Sequence, residues 1–116
     1  KIQMKTAAIF NNLEFNKDRP LIKVLFETSF TKEIRIAMQK GTEMKKHKTS
    51  YPIVVEIVEG NIDFGVENEV LNLQKGNLIS LDSSVPHDLK AKENSVIRLT
   101  LTKNDETDRV KKVIEN

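Results

Sequence analysis

The stretch Gly41-Thr42-Glu43-Met44-Lys45-Lys46-His47-Lys48-Thr49 starts on a glycine and runs into one of only two histidines in the chain. Its counterpart, Gly76-Asn77-Leu78-Ile79-Ser80-Leu81-Asp82-Ser83-Ser84-Val85-Pro86-His87, runs from a glycine into the other. Each histidine stands beside residues that favour strands, and each glycine stands where the chain must turn. Pro86 fixes the backbone at the entry to the strand that aims His87. Tyr51-Pro52 ends the first segment, and a proline there belongs at a strand start because it donates nothing to a ladder.

Outward from these segments the same texture continues. Short runs rich in Val, Ile, Leu and Thr predict strands at Leu21–Glu27, Glu33–Gln39, Met44–Thr49, Ile53–Glu59, Ile62–Val66, Glu69–Gln74, Asn77–Leu81, His87–Lys92 and Ser95–Leu101. Gly60-Asn61, Glu67-Asn68 and Glu93-Asn94 punctuate them. Many short, evenly spaced strands imply an all-β sandwich or closed barrel. After Leu101 the pattern changes. Asn104 or Asp105 can cap a helix, acidic residues fill its first turn, and Val110, Val113 and Ile114 share one face. A short C-terminal helix over about 105–115 is expected on the barrel wall. The apolar residues of Ala7–Phe15 need cover of their own.

Composition sets the outer limits. With 116 residues the chain is one domain's worth. It has no cysteine, so no disulfide, thiolate metal site or thiol nucleophile exists. The 19 basic and 17 acidic residues nearly balance, and aromatics at 5% do not interleave with a basic stripe. That excludes a nucleic-acid footprint. No apolar run approaches the ~20 residues of a membrane span, and no signal-peptide pattern is present. A cytoplasmic protein with no membrane contact is expected. Four glycines, three of them at turns, leave no phosphate-cradling loop.

The spacings of the two histidine segments resemble the signature motifs of the cupin family. The first motif reads glycine, five residues, His-x-His, three or four residues, glutamate, six residues, glycine. Gly41, His47 and Gly60 fall on that frame, but Thr49 replaces the second histidine and Ile53 the glutamate. In the second motif Gly76 and His87 match, while Asp82, Ser84 and Ala91 stand where proline, glycine and asparagine are usual. The resemblance implies a single-domain antiparallel jelly-roll β-barrel, with its core over about 33–101. It implies dimers, and a divalent metal such as zinc, iron, nickel or manganese, held in other members by histidines and a carboxylate. Only His47 and His87 survive here as candidate ligands. Two ligands are too few for tight zinc or iron binding unless other groups complete the set.

Strand alternation then orders the interior. With His47 inward, Lys45 and Thr49 share its face, and a β-bulge would invert that parity. With Ile53 inward, Val55 and Ile57 follow, and Glu56 faces away. His87 inward brings Leu89 and Ala91 with it, and Ile36, Met38 and Phe64 are further candidates for the lining. The expected ligand-binding set is His47, His87, Thr49, Lys45 and Tyr51. The first reading is a barrel that binds a small organic ligand through a two-histidine pocket. Its rivals are a small metal-dependent enzyme of oxygenase or isomerase type, and a non-catalytic homodimer with a structural role.

Overall fold

The computed structural model describes residues 3–103. Nine strands run through them in chain order: β1 (Leu21–Glu27), β2 (Thr31–Met38), β3 (Glu43–His47), β4 (Ile53–Glu59), β5 (Asn61–Val66), β6 (Glu69–Gln74), β7 (Leu78–Leu81), β8 (His87–Ala91) and β9 (Ser95–Thr102). They form two antiparallel sheets, ordered β1-β2-β9-β4-β7 and β3-β8-β5-β6. Consecutive strands repeatedly land in opposite sheets, which is jelly-roll connectivity. Each expected strand is present, with ends shifted by two residues or fewer. The helix expected over about 105–115 lies outside the described residues.

The core follows from the alternation. Ile34, Ile36 and Met38 of β2, Ile53, Val55 and Ile57 of β4, and Ile97 of β9 are buried. Ile62 and Phe64 of β5 with Leu89 and Ala91 of β8 face them from the other sheet. Burial of such side chains, each contributing about 1.5–3 kcal/mol, holds the sheets together. The last glycine of the first motif has a steric role. Gly60 joins β4 to β5 at φ +102°, and a Cβ there would sit 2.6 Å from the Asn94 carbonyl oxygen and overlap the Ser95 hydroxyl. That hydroxyl is spoken for, because it accepts from Asn61 N at 3.0 Å and donates to Glu93 O at 2.8 Å.

The five-stranded sheet is one strand wider than its partner. Ile22 and Val24 of β1 share the face of Ile36 and Ile34, yet they stay exposed because no fifth strand lies opposite. On the outer face of this sheet the buried Arg35 holds the N-terminal segment. Its Nη1 donates to the carbonyls of Ile9 at 2.8 Å and Asn11 at 2.9 Å. So part of the Ala7–Phe15 stretch is tied down by a guanidinium, while Phe10 remains half exposed.

Candidate functional site

His47 ends β3 and His87 begins β8, and the two are directly paired across the strands. Their ring centroids lie 4.3 Å apart, edge to face at 60°. Phe64, from the neighbouring β5, stacks on the other side of His87 at 5.6 Å and 5°. Each ring is held by its own backbone. The His47 Nδ1–H donates to the Lys45 carbonyl at 2.7 Å, and the His87 Nδ1–H to the Val85 carbonyl at 2.9 Å. A carbonyl can only accept, so each neutral ring carries its proton on Nδ1. Each Nε2 is left with a free lone pair, a pattern that fixes which nitrogen can take a ligand.

A β-bulge determines what joins them. Between Met44, opposite Leu89, and His47, opposite His87, β3 spends one residue more than β8. Met44 and His47 therefore both face inward, and Lys45 and Lys46 are both exposed. This corrects the simple alternation that put Lys45 on the face of His47. The cavity between the sheets is about 20 Å³, lined by Ile36, Met44, His47, Ile53, Val55, His87, Leu89, Ile97 and Leu99. That is room for one guest the size of a water. Thr49 and Tyr51 do not line it. The Thr49 hydroxyl donates to the Tyr51 carbonyl at 3.1 Å, and the Thr49 carbonyl accepts from Ser84 N at 2.7 Å. Thr49 thereby ties the loop after β3 to the loop before β8, while its bond to Tyr51 stays within its own loop. Ile36 lines the cavity as expected, while Met38 is buried in the core outside it.

Burial lowers the pKa of His87. The hydrogen bond to Val85 opposes this, the His47 charge adds to it, and Asp88 opposes it. A histidine whose folded pKa lies below its unfolded value of ~6.5 binds protons more readily when unfolded. Its contribution is complete above that value and is lost as pH falls from ~6.5 toward the lowered pKa. We expect stability to drop over that window with a slope of at most about 1.4 kcal/mol per pH unit from this group. Urea unfolding of wild type and His87→Gln at stepped pH reads it out, and equal slopes in the two proteins would refute it.

The residues present do not suit the divalent metal that the motif resemblance implies. No carboxylate lines the cavity, and Ile53, 2% exposed, occupies the glutamate position. Glu56 points to the outer face and is bound by Arg98 Nε at 3.0 Å. Among the described residues no group of three or more His, Cys, Asp or Glu side chains could hold a metal. A hard divalent ion needs oxygen donors or compensating charge, and the lining offers neither.

Sequence reasoning missed a second concavity. On the outer face of the five-stranded sheet, Ala7, Ile9, Leu25, Phe26, Phe30 and Val58 wall a groove of about 670 Å³. Its floor carries Arg98, which pairs Glu33 at 3.1 Å as well as Glu56. Thr100 Oγ1 donates to the same Glu33 oxygen at 2.6 Å. The register of β2, β9 and β4 aligns these residues across the sheet, which no local signal announces.

The whole architecture matches solved cupin structures. An RmlC-like cupin from Desulfovibrio desulfuricans superposes with a TM-score of 0.79 at 18% identity, over 86% of this chain and 97% of that one. An RmlC-like cupin with a double-stranded β-helix fold from Methanocaldococcus jannaschii gives 0.73 at 15%, over 94% and 99%. A conserved protein of unknown function from Streptococcus pyogenes gives 0.74 at 20%, over 89% and 90%. No family model matches the chain, and neither does any curated protein. The chain is a small cupin-fold domain. Among the described residues no helix is long and apolar enough to cross a membrane.

Proposed function

We propose that this chain is a binding protein whose recognition element is the His47–His87 pair, working without turnover. The supporting observation is the pair of backbone-anchored Nδ1–H groups, which leaves two Nε2 lone pairs beside an otherwise aliphatic cavity. Two such acceptors receive a metal ion or a hydrogen-bond donor. The cavity admits about one non-hydrogen atom, so a small organic ligand enters by a single polar tip and leaves its body at the barrel mouth. Exposed Lys45 and Lys46 beside His47 give that mouth a positive field. The test is a thermal-shift panel of metal ions and small hydroxylic and anionic compounds, run on wild type and on a His47→Ala/His87→Ala double variant. Hits that vanish in the variant support the reading. Hits that persist unchanged there place the site elsewhere and end it.

A second reading concerns assembly and is compatible with the first. Phe30 lines the outer groove and is 65% exposed, beside the apolar walls of Phe26, Leu25 and Val58. Apolar surface of that kind favours a partner, and we propose a second copy of this chain. Phe30→Glu would then convert a dimer to a monomer by sedimentation velocity, with the unfolding midpoint otherwise close to wild type. A wild type that sediments as a monomer at tens of micromolar would rule this out.

A further inference from the structure

We infer that the groove on the outer face of the five-stranded sheet is a second binding site, and that it takes an apolar amine, an ammonium head on a hydrocarbon body. The groove shares no residue with the cavity of the histidine pair. A second copy seated at Phe30 would cover such a ligand without replacing it.

Size and walls come first. The barrel cavity of about 20 Å³ has no room for an organic body, whereas the groove, at about 670 Å³, falls within the ~300–1,000 Å³ of small-molecule sites. Two β-bulges build its apolar walls. In β1, Val24 stands opposite Ile34 and Phe26 opposite Glu33, so the strand spends one residue more than β2 there. Without that bulge Phe26 would follow Val24 to the other face, and with it Leu25 and Phe26 both line the groove. In β4, Ile57 stands opposite Ile97 and Glu59 opposite Val96, which leaves Val58 as the extra residue, and it too lines the groove.

The floor decides the head group. The charged side chains of the lining are Glu33, Glu56 and Arg98, two carboxylates to one guanidinium. Arg98 is already committed to both, through Nε to Glu56 Oε1 and Nη1 to Glu33 Oε1, and Thr100 donates to the same Glu33 oxygen. Among the described residues neither Oε2 has a partner, and neither is sealed from solvent. One negative charge is left over, with acceptors to spare. An ammonium supplies both the missing charge and the donors. A carboxylate head would reach Arg98 only between two like charges.

The neighbouring cations do not cancel that charge at the floor. Arg35 stands opposite Arg98 in the ladder, and Lys23 opposite Arg35, yet neither enters the lining. Lys23 is exposed to solvent. Arg35 is buried, with Nη1 turned to the carbonyls of Ile9 and Asn11. Those bonds hold Ile9 in place as a wall, so the apolar body meets a surface that is already formed.

The experiment is calorimetric titration with octylamine and with octanoate, two chains of equal length and opposite charge. It compares wild type, Glu33→Gln/Glu56→Gln, Ala7→Trp and the His47→Ala/His87→Ala double variant. Ala7 is exposed and lines the groove, so Ala7→Trp fills the site without touching the core. The expected result is one octylamine per chain, bound at least about tenfold more tightly than octanoate. That preference is lost in Glu33→Gln/Glu56→Gln, and saturable binding is lost in Ala7→Trp. Octylamine binding is unchanged in the histidine variant. Octanoate matching octylamine, a preference kept in the glutamine variant, or full binding in Ala7→Trp overturns the inference. So does an absence of saturable octylamine binding to wild type. Loss of binding in the histidine variant would return the ligand to the barrel and also overturn it. Should the glutamine variant fail to fold, the ratio of the two ligands in wild type and the Ala7→Trp result still decide.

Discussion

Phe64→Ala will unfold this protein about 20 °C below wild type, a loss of about 4 kcal/mol. Phe64 is fully buried in the middle of β5, opposite Leu71 on one side and Leu89 on the other. Removing its ring takes away the transfer free energy of a large apolar group and leaves a hole between sheets that cannot collapse independently. Domains of this size hold only about 5–15 kcal/mol in total, so the change is a large fraction of what exists. The ring also stacks on His87. Its loss admits water to the imidazole, and the burial that lowers the His87 pKa weakens. Two readouts follow from one substitution: a lower midpoint in differential scanning calorimetry and a His87 titration moved back toward the ordinary histidine range by NMR. Phe64→Leu separates the causes, restoring much of the packing but none of the stacking. A Phe64→Ala midpoint within about 5 °C of wild type, under about 1 kcal/mol, would show that the sheets repack and that the core account is wrong.

Phe64 also shows where sequence is informative. Its inward position follows from alternation along Ile62–Val66, and so do those of Ile34, Ile36, Ile53, Val55 and Ile57. Alternation is a local property of the chain, so it can be read without the fold. The same logic brought His47 and His87 to one interior and sent Glu56 outward. It failed at Lys45, because the register of β3 on β8 is settled by what pairs across the sheet, and a one-residue excess there re-aims everything before it. Met44 was lost to the reading for that reason alone. The outer groove was illegible for a related one. Glu33, Glu56, Arg98 and Thr100 come from three strands, and β9 lies between β2 and β4 despite being the last of the described strands. Long-range order of that kind leaves no periodic trace. Nothing local to Arg35 in the sequence marks its role, which comes from the docked carbonyls of Ile9 and Asn11, residues more than twenty positions away.

Ile53→Glu is the substitution that reverses the character of the cavity. Ile53 lines it, is almost fully buried, and pairs with Leu81 and Leu101 across the five-stranded sheet. A carboxylate placed there meets aliphatic walls and two imidazoles, with no lysine or arginine in the lining to balance it. Without metal the variant should lose about 3 kcal/mol at pH 7.5, since an unpaired buried charge is among the largest single-residue penalties. Its carboxyl pKa should rise accordingly. With metal the sign changes. The new oxygen donor and negative charge complete a set of two imidazoles and a carboxylate, which suits zinc, nickel, iron or manganese. Binding to the folded state alone then restores stability by mass action, about 2.7 kcal/mol at a free metal concentration one hundred times the Kd. Ile53→Gln supplies the same shape without the charge, and should show the loss but little of the recovery. Wild type should show neither. A stabilisation of wild type by zinc as large as that of Ile53→Glu would mean that the native cavity already satisfies a divalent ion, and the account of its lining as unsuited to one would be untenable. A recovery confined to Ile53→Glu would mean that one apolar side chain keeps divalent metals out of this barrel.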